Sequence, residues 1–217
     1  MPYKPAQAFL PVTGLGKGGQ LLVVRPESPY KTVADLVNDA KTHPGKLSFG
    51  SGSGSSSSRV AGEMLKQLTR TDILHVPYKS NPNVLADLLV GQITFMITDT
   101  ATGVPQIKGG KLRALGVSTT QRVALLPDVP TIAEAGVAGY DIGYWFAAYV
   151  PAGTPAAVVA RLRELLIHGT RGAAAKSFYD STGSDAWTTT SHELGEFQVA
   201  ESQKWGKVIK AAGIEPE

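Results

Sequence analysis

Short apolar runs alternate with amphipathic stretches along the chain, and this pattern predicts strands that alternate with helices. Six apolar runs have the length and composition of buried strands. They lie at residues 20–24, 46–51, 72–78, 92–98, 112–118 and 140–150. The last run contains Tyr144, Trp145 and Phe146, which we expect to pack in the core because aromatic side chains usually do so.

The stretches between these runs carry apolar residues at helical spacing and residues that start helices. Three pairs have capping-box spacing, namely Thr32 with Asp35, Thr131 with Glu134, and Thr190 with Glu193. Thr154 before Pro155 predicts a fourth helix start, with threonine as the N-cap and proline at the first helical position. The predicted buried faces include Leu68, Val158 and Leu165. Together these elements predict an α/β fold with a mainly parallel sheet.

The composition is typical of a globular domain, and it excludes several kinds of site and partner. The 217 residues are 42% hydrophobic and 18% charged, and the formal net charge of +3 is too small to indicate a nucleic-acid partner. The absence of cysteine excludes disulfides, thiolate metal sites and a cysteine nucleophile. The start lacks the basic and apolar segments of a signal peptide, and no apolar run is long enough to cross a bilayer.

Residues 50–58 contain only glycine and serine and stand between a predicted strand and a predicted helix. Backbone N–H groups at a helix N-terminus attract anions, glycines permit close backbone approach, and serine hydroxyls add donors. A carboxylate is the expected ligand. The candidate binding residues in this stretch are Ser51, Ser53, Gly54, Ser55, Ser56 and Ser57. A flexible connection with solvated serines is the alternative interpretation, since such runs are common linkers.

A second candidate site consists of Thr98, Asp99 and Thr100, which follow a buried apolar run. α/β proteins place ligand contacts at the carboxyl ends of their strands. The alternative is that these residues cap the helical turn predicted at residues 104–108.

Enzyme motifs are absent from the Gly/Ser stretch. Gly52 occupies the central position where a nucleophile elbow needs serine, and Ser57 stands where a dinucleotide-binding motif needs its third glycine. The four histidines are scattered, without the short spacing of metal ligands. We therefore predict no catalytic residues, no metal and no cofactor.

Several short segments, in order and at sensible intervals, together resemble one family. They are KTVADL at 31–36, PGKL at 44–47, AGE at 61–63, VPYK at 76–79, GKLRAL at 110–115, LPDVPT at 126–131, AEAG at 133–136, PAGTP at 151–155, and Trp205 with KAAGI at 210–214. The set resembles the Bug, or TctC-like, extracytoplasmic solute receptors, which are the substrate-binding proteins of tripartite tricarboxylate transporters.

This resemblance implies a two-lobed Venus-flytrap receptor with a periplasmic-binding-protein-like type II fold. Such a receptor binds a mono-, di- or tricarboxylate between its lobes and delivers it to membrane transporter subunits, without chemistry. By position, the Gly/Ser stretch matches the family's ligand loop, and Thr98 and Asp99 match its strand-end pair. The implied location is the periplasm, or the cytoplasm if the missing signal peptide is genuine.

The sequence departs from the family pattern at two places. Arg59 stands where the family usually has histidine. Its side chain therefore either turns to solvent or pairs with a second negative charge on the ligand.

Residues 1–25 resemble a remnant of lobe one leading to the hinge. Residues 26–118 resemble lobe two, and residues 119–217 resemble the hinge return, the rest of lobe one and the C-terminal helices. On this interpretation the first strands and helices of lobe one are missing. We would then expect weak binding, unless a homodimer compensates.

Two other functions stay open on the sequence. A truncated paralogue that has lost its ligand could act as a dimerising interaction protein. An α/β hydrolase-like enzyme is the other alternative, but it needs a nucleophile–base pair that the sequence does not show.

Overall fold

The computed structural model describes residues 5–52 and 57–214, which form two compact units. The first unit comprises Met1–Lys17 and Trp145–Lys204, and the second comprises Gly18–Tyr144 and Trp205–Glu217. The chain therefore enters each unit more than once. The assignment of residues 26–118 to a receptor's second lobe stays a prediction.

Helices and strands alternate through most of the chain, as the apolar pattern predicts. The helices are α1 (Pro5–Ala8), α2 (Val33–Thr42), α3 (Ser57–Thr69), α4 (Asn81–Leu89), α5 (Thr100–Lys108), α6 (Ala156–Thr170), α7 (Ala173–Thr182) and α8 (Ser191–Ala211). The strands are β1 (Phe9–Val24), β2 (Ser48–Ser51), β3 (Leu74–Pro77), β4 (Phe95–Asp99), β5 (Arg113–Val117), β6 (Gly143–Pro151) and β7 (Ser184–Ala186). The sequence pattern did not predict α1, α7 or β7, and it placed only residues 20–24 of β1.

The sheet of the second unit has the order β3-β2-β4-β1-β5. Strand β2 is parallel to β3 and β4, whereas β1 is antiparallel to both β4 and β5. The α/β class is thus confirmed, but the expectation of a mainly parallel sheet is wrong. The reason is that β1 lies between β4 and β5 and runs against both.

Two apolar cores cover the two faces of this sheet, and β1 contributes to each. Leu22 and Val24 belong to the core with α2 and α3, while Leu21 and Val23 belong to the core with α4 and α5. Successive strand residues point to opposite faces, so a strand buried on both faces needs an unbroken apolar run. The run at residues 20–24 is therefore explained by burial on both sides.

The predicted helix starts have mixed outcomes. Thr32 caps α2 in a full capping box with Asp35, and Thr190 exchanges the same pair of hydrogen bonds with Glu193 ahead of α8. Thr131 and Glu134 also exchange these bonds, but the residues after them form turns and no helix. The fourth predicted start is also followed by a helix, α6, but the cap assignment is wrong, because Pro155 is the N-cap and makes no side-chain cap bond. The Thr154 hydroxyl instead donates to the carbonyl oxygen of Pro151.

Several side chains that the sequence pattern predicts to be buried are exposed, most of them in the first unit. Three predicted buried side chains are exposed, with Leu68 of the second unit at 43%, Val158 at 46% and Leu165 at 51%. Phe146 is 61% exposed, so its predicted core role is also wrong, whereas its neighbour Trp145 packs edge-on against Phe197. Within the described ranges, no helix is both long and apolar enough to span a membrane.

Candidate ligand-binding site

Several polar elements meet at one edge of the sheet in the second unit. Strands β2 and β4 are parallel, so their carboxyl ends, at Ser51 and Asp99, lie at the same edge. Strand β1 runs the other way and places Gln20 opposite Asp99. Helices α3, α4 and α5 follow β2, β3 and β4 along the chain and so begin on this side of the sheet. Each helix N-terminus adds backbone N–H groups and a partial positive charge.

The structure describes part of the predicted site. Ser51, Ser57, Arg59, Thr98, Asp99 and Thr100 lie in described segments of the second unit. Ser53, Gly54, Ser55 and Ser56 lie outside the described residues. The assignment of all of these residues to a binding site stays a prediction.

Gly52 shows how closely the Gly/Ser stretch passes the start of α4. A Cβ atom at this position would lie 2.4 Å from both the backbone N and the Oδ1 atom of Asn81. No side chain fits in that space. Ser80, the N-cap residue of α4, makes no side-chain cap bond, so its hydroxyl leaves the first amides of α4 uncapped.

Ser51 is buried and pairs with a histidine that the sequence analysis did not select. The Ser51 Oγ and His75 Nε2 atoms are 2.7 Å apart. Burial, followed by the positive charges of Arg59 and Lys66, lowers the pKa of His75 to about 4. His75 is therefore neutral at pH 7, and it shares one hydrogen bond with Ser51.

Arg59 lies in the first turn of α3 and is partly buried. Its positive charge is one of the causes that lower the pKa of His75. A positive charge in a first helical turn opposes the helix dipole, so this position favours a negative partner.

Gln20 is a second residue that the sequence analysis missed. Its side chain is almost fully buried, and its Nε2 atom donates to Ser57 Oγ over 2.9 Å. The other end of the amide, Oε1, is buried and has no hydrogen-bond partner among the described residues. The same is true of Asn81 Oδ1 and Thr98 Oγ1. Buried polar atoms are nearly always hydrogen-bonded, so these three atoms indicate where a ligand or water would bind.

Asp99 and Thr100 have structural partners. Asp99 is the N-cap of α5 and accepts a hydrogen bond from the Thr102 backbone N–H over 2.8 Å. The N-cap interpretation is therefore confirmed for Asp99, and its contact with a ligand stays a prediction. Thr100 Oγ1 lies 3.3 Å from the hydroxyl of Tyr144, whose ring packs so close to Gly18 that a Cβ there would clash.

The missed residues left little signal in the sequence. Gln20 begins an apolar run, and its place at this edge depends on the antiparallel register of β1 with β4, which local patterns do not encode. His75 stands just before the VPYK segment and was dismissed because no second histidine is nearby in sequence. Within the described ranges, no group of three or more histidine, aspartate or glutamate side chains could hold a metal ion.

A sheet covered on both faces, with helix N-termini at one edge, suits the binding of an anion. A sequence model described as "Tripartite tricarboxylate transporter family receptor" (TctC) matches residues 1–214. The chain belongs to this family, whose members are periplasmic receptors.

Curated relatives agree with this assignment. The chain is 30% identical over 96% of its length to a "UPF0065 protein in tcbD-tcbE intergenic region" of Pseudomonas sp. (strain P51). It is 26% identical over 98% of its length to "Protein BugT" of Bordetella pertussis. The chain spans only 62% and 65% of the lengths of these two relatives.

Solved structures match more closely in backbone than in sequence. The structure "R. palustris Rpa4515 with adipate" has a TM-score of 0.90 and 32% identity, covering 100% of this chain and 73% of the other. The "periplasmic binding protein BugD" has a TM-score of 0.87 and 27% identity, covering 99% and 73%. "MatC (Rpa3494) from Rhodopseudomonas palustris with bound malate" has a TM-score of 0.84 and 25% identity, covering 96% and 72%.

Proposed function

We propose that this chain binds a small carboxylate at the sheet edge of its second unit and delivers it to a tripartite transporter in the periplasm. The observation that carries the proposal is the polar edge itself, where α3, with Arg59 in its first turn, and α4 begin at the ends of β2 and β3. Helix N-termini bind anions through free N–H groups and the helix dipole.

Two structures in the comparison support a carboxylate as the ligand. One similar protein is described with adipate and another with bound malate, and both are dicarboxylates. Neither observation identifies the ligand of this chain, so the proposal is restricted to the class of small mono-, di- and tricarboxylates. The predicted lobe of residues 26–118 falls within the second unit, which supports its role as the lobe that holds this site.

The close approach of Gly52 to Asn81 provides the test. We expect wild-type protein to show carboxylate binding by isothermal titration calorimetry with adipate, malate, citrate and acetate. Gly52→Ala places a methyl group against Asn81, moves the Gly/Ser stretch, and should weaken binding about tenfold or more. Gly206→Ala is the matched control, because no atom lies within 4 Å of its new Cβ.

The outcomes separate folding from binding. Circular dichroism establishes that both variants retain the wild-type fold. A folded Gly52→Ala protein that binds as tightly as wild type would contradict the proposed location. No heat from any carboxylate with the folded wild-type chain would contradict the proposed function.

A second candidate function is self-association, and exposed apolar side chains of the first unit favour it. Six large apolar side chains there are 42–61% exposed. They are Phe9, Phe146, Val158, Leu165, Phe178 and Val199. An open groove of about 630 Å³ in the same unit is lined in part by Leu10, Pro11 and Val159. Exposed apolar side chains can contribute to an interaction site, and we propose a second copy of this chain as the occupant.

Light scattering at increasing concentration tests this candidate. We expect a dimer whose population falls when Leu165→Glu places a charge on α6. A wild-type protein that stays monomeric at high concentration would contradict self-association and leave carboxylate binding as the single proposal.

A further inference from the structure

The first unit has almost no apolar core of its own. Among its described residues, only two apolar side chains are buried, those of Val12 and Leu194. Every residue of the two apolar cores of the sheet belongs to the second unit. A domain folds because it buries enough apolar surface to offset the conformational entropy that its chain loses. The first unit, taken alone, buries too little.

Strand β6 has the sequence of a buried strand without the burial. Residues 145–150 read WFAAYV, an unbroken apolar and aromatic run of the kind found in strands that are covered on both faces. No residue of β6 is buried, however, and Phe146 is 61% exposed. Among the described strands, β6 pairs with β1 alone. Its second edge therefore offers backbone groups to a further strand.

Helix α6 presents an apolar face that is only partly covered. Val158, Leu162 and Leu165 recur at helical spacing, and Leu162 is partly buried, whereas Val158 is 46% and Leu165 is 51% exposed. Val159 of the same helix lines the open groove of about 630 Å³ together with Leu10, at the start of β1. The first unit thus leaves apolar surface uncovered on β6, on α6 and at the start of β1. We call these exposed side chains the docking face.

The comparison structures contain additional chain. The structure with adipate matches all of this chain at a TM-score of 0.90, but only 73% of that receptor is covered in return. About a quarter of the receptor therefore has no counterpart in this chain. In the second unit, the sheet already has an apolar core on each face. The first unit is the place where additional chain would bury apolar surface.

We propose that the docking face binds the segment of these receptors that has no counterpart in this chain. The segment adds a strand along the second edge of β6 and packs apolar side chains against Val158 and Leu165. This inference goes beyond carboxylate binding and does not depend on it. It also bears on self-association, because the segment and a second copy of the chain compete for the same surface.

Supplying the segment as a separate polypeptide tests the inference. The unmatched segments of Rpa4515 and of BugD are each co-expressed with this chain, and the chain is purified through an affinity tag. We expect at least one segment to co-purify and to form a one-to-one complex by light scattering. Compared with the chain alone, hydrogen exchange in the complex should slow at the amides of β6 and α6. Exchange in α2, which belongs to the second unit, should stay the same.

Two substitutions on α6 locate the contact. Leu165→Glu places a charge on the docking face and should weaken the complex about tenfold or more. Ala157→Glu is the matched control, because it adds the same charge at an exposed position that shares a side of α6 with the exposed Arg161 and Glu164. Energy transfer between fluorophores on the two polypeptides, followed during dilution, measures both affinities. Circular dichroism establishes that both variants retain the wild-type fold.

The outcomes separate the segment from other occupants. If neither segment co-purifies with the folded chain, the inference is overturned. A complex without slower exchange in β6 and α6 would overturn it too, and so would equal affinities of the two glutamate variants. A homodimer that persists with the segment in excess would assign the docking face to a second copy instead. None of these measurements depends on carboxylate binding, so the proposed function stands or fails separately.

Discussion

Ser51 and His75 form a hydrogen-bonded pair in which burial and two positive side chains keep the histidine neutral at pH 7. The distance between Ser51 Oγ and His75 Nε2 is 2.7 Å, and burial followed by Arg59 and Lys66 lowers the pKa of His75 to about 4. Neutral His75 can accept the Ser51 proton or donate its own. Because protonated His75 can only donate, the pair links the proposed binding site to pH.

The lowered pKa of His75 predicts a loss of stability in acid. An unfolded histidine takes up a proton near pH 6.5, whereas folded His75 does so only near pH 4. The free energy of unfolding should therefore fall as the pH drops from about 6.5 to about 4, because the unfolded chain then binds more protons. Urea unfolding of wild-type and His75→Gln proteins across this range measures the difference.

The control for this prediction is His168→Gln, which changes an exposed histidine. We expect the stability difference between wild type and His75→Gln to depend on pH in this window, and the difference for His168→Gln to stay constant. The same pH slope in wild type and His75→Gln would contradict the assignment.

Arg59 should contribute to the lowered pKa of His75, after burial. Removing the guanidinium in Arg59→Ala removes one of the charges that disfavours protonated His75, so the pKa of His75 should rise toward 6.5. NMR titration of the histidine ring protons measures this change. An unchanged titration of His75 in the variant would show that the charge of Arg59 does not reach the ring.

Arg59 also predicts a preference for ligands with two negative charges. If its guanidinium meets the second carboxylate, Arg59→Ala should weaken succinate or adipate about tenfold while it leaves acetate or butyrate nearly unchanged. Lys111→Ala removes an equal charge from an exposed position and serves as the control. Unchanged dicarboxylate affinity in Arg59→Ala would mean that Arg59 has no ligand role.

Two helical glycines should respond oppositely to alanine. At Gly62 of α3, an added Cβ atom would lie 2.2 Å from the Phe49 ring. Gly62→Ala should therefore reduce the free energy of unfolding by about 1–3 kcal/mol through overpacking. Gly206 of α8 is exposed, and alanine there should raise stability by about 0.5–1 kcal/mol. Urea unfolding measures both, and a neutral Gly62→Ala protein would argue against this packing.

The sequence pattern predicted the second unit well, because its helices and strands bury faces on which apolar residues recur at regular spacing. Val33, Leu36, Val37 and Ala40 recur at helical spacing and are all buried in α2, which Thr32 caps. The first unit followed its pattern poorly. Val158 and Leu165 have helical spacing, but spacing encodes only a face of the helix and not whether another element covers it.

The site could be predicted only where it is local in sequence. The Gly/Ser stretch and the strand ending in Asp99 carry recognisable patterns, and the N-cap alternative for Asp99 was identified from the same pattern. The sequence pattern could not assign Gln20 to the site, because Gln20 joins it through antiparallel pairing with a strand more than seventy positions away in the sequence. Register of this kind is set by tertiary packing.

The chain crosses between its two units after Lys17, after Tyr144 and after Lys204, so neither unit is one continuous stretch of the gene. The last crossing falls inside α8, whose final turns return Trp205, Val208 and Ile209 to the core beside α2 and α3. A stop codon ahead of α8 would therefore remove packing from the second unit, although most of that unit lies at residues 18–144. A version of the protein reduced to the second unit should join residues 18–144 to the C-terminal turns of α8 through a linker.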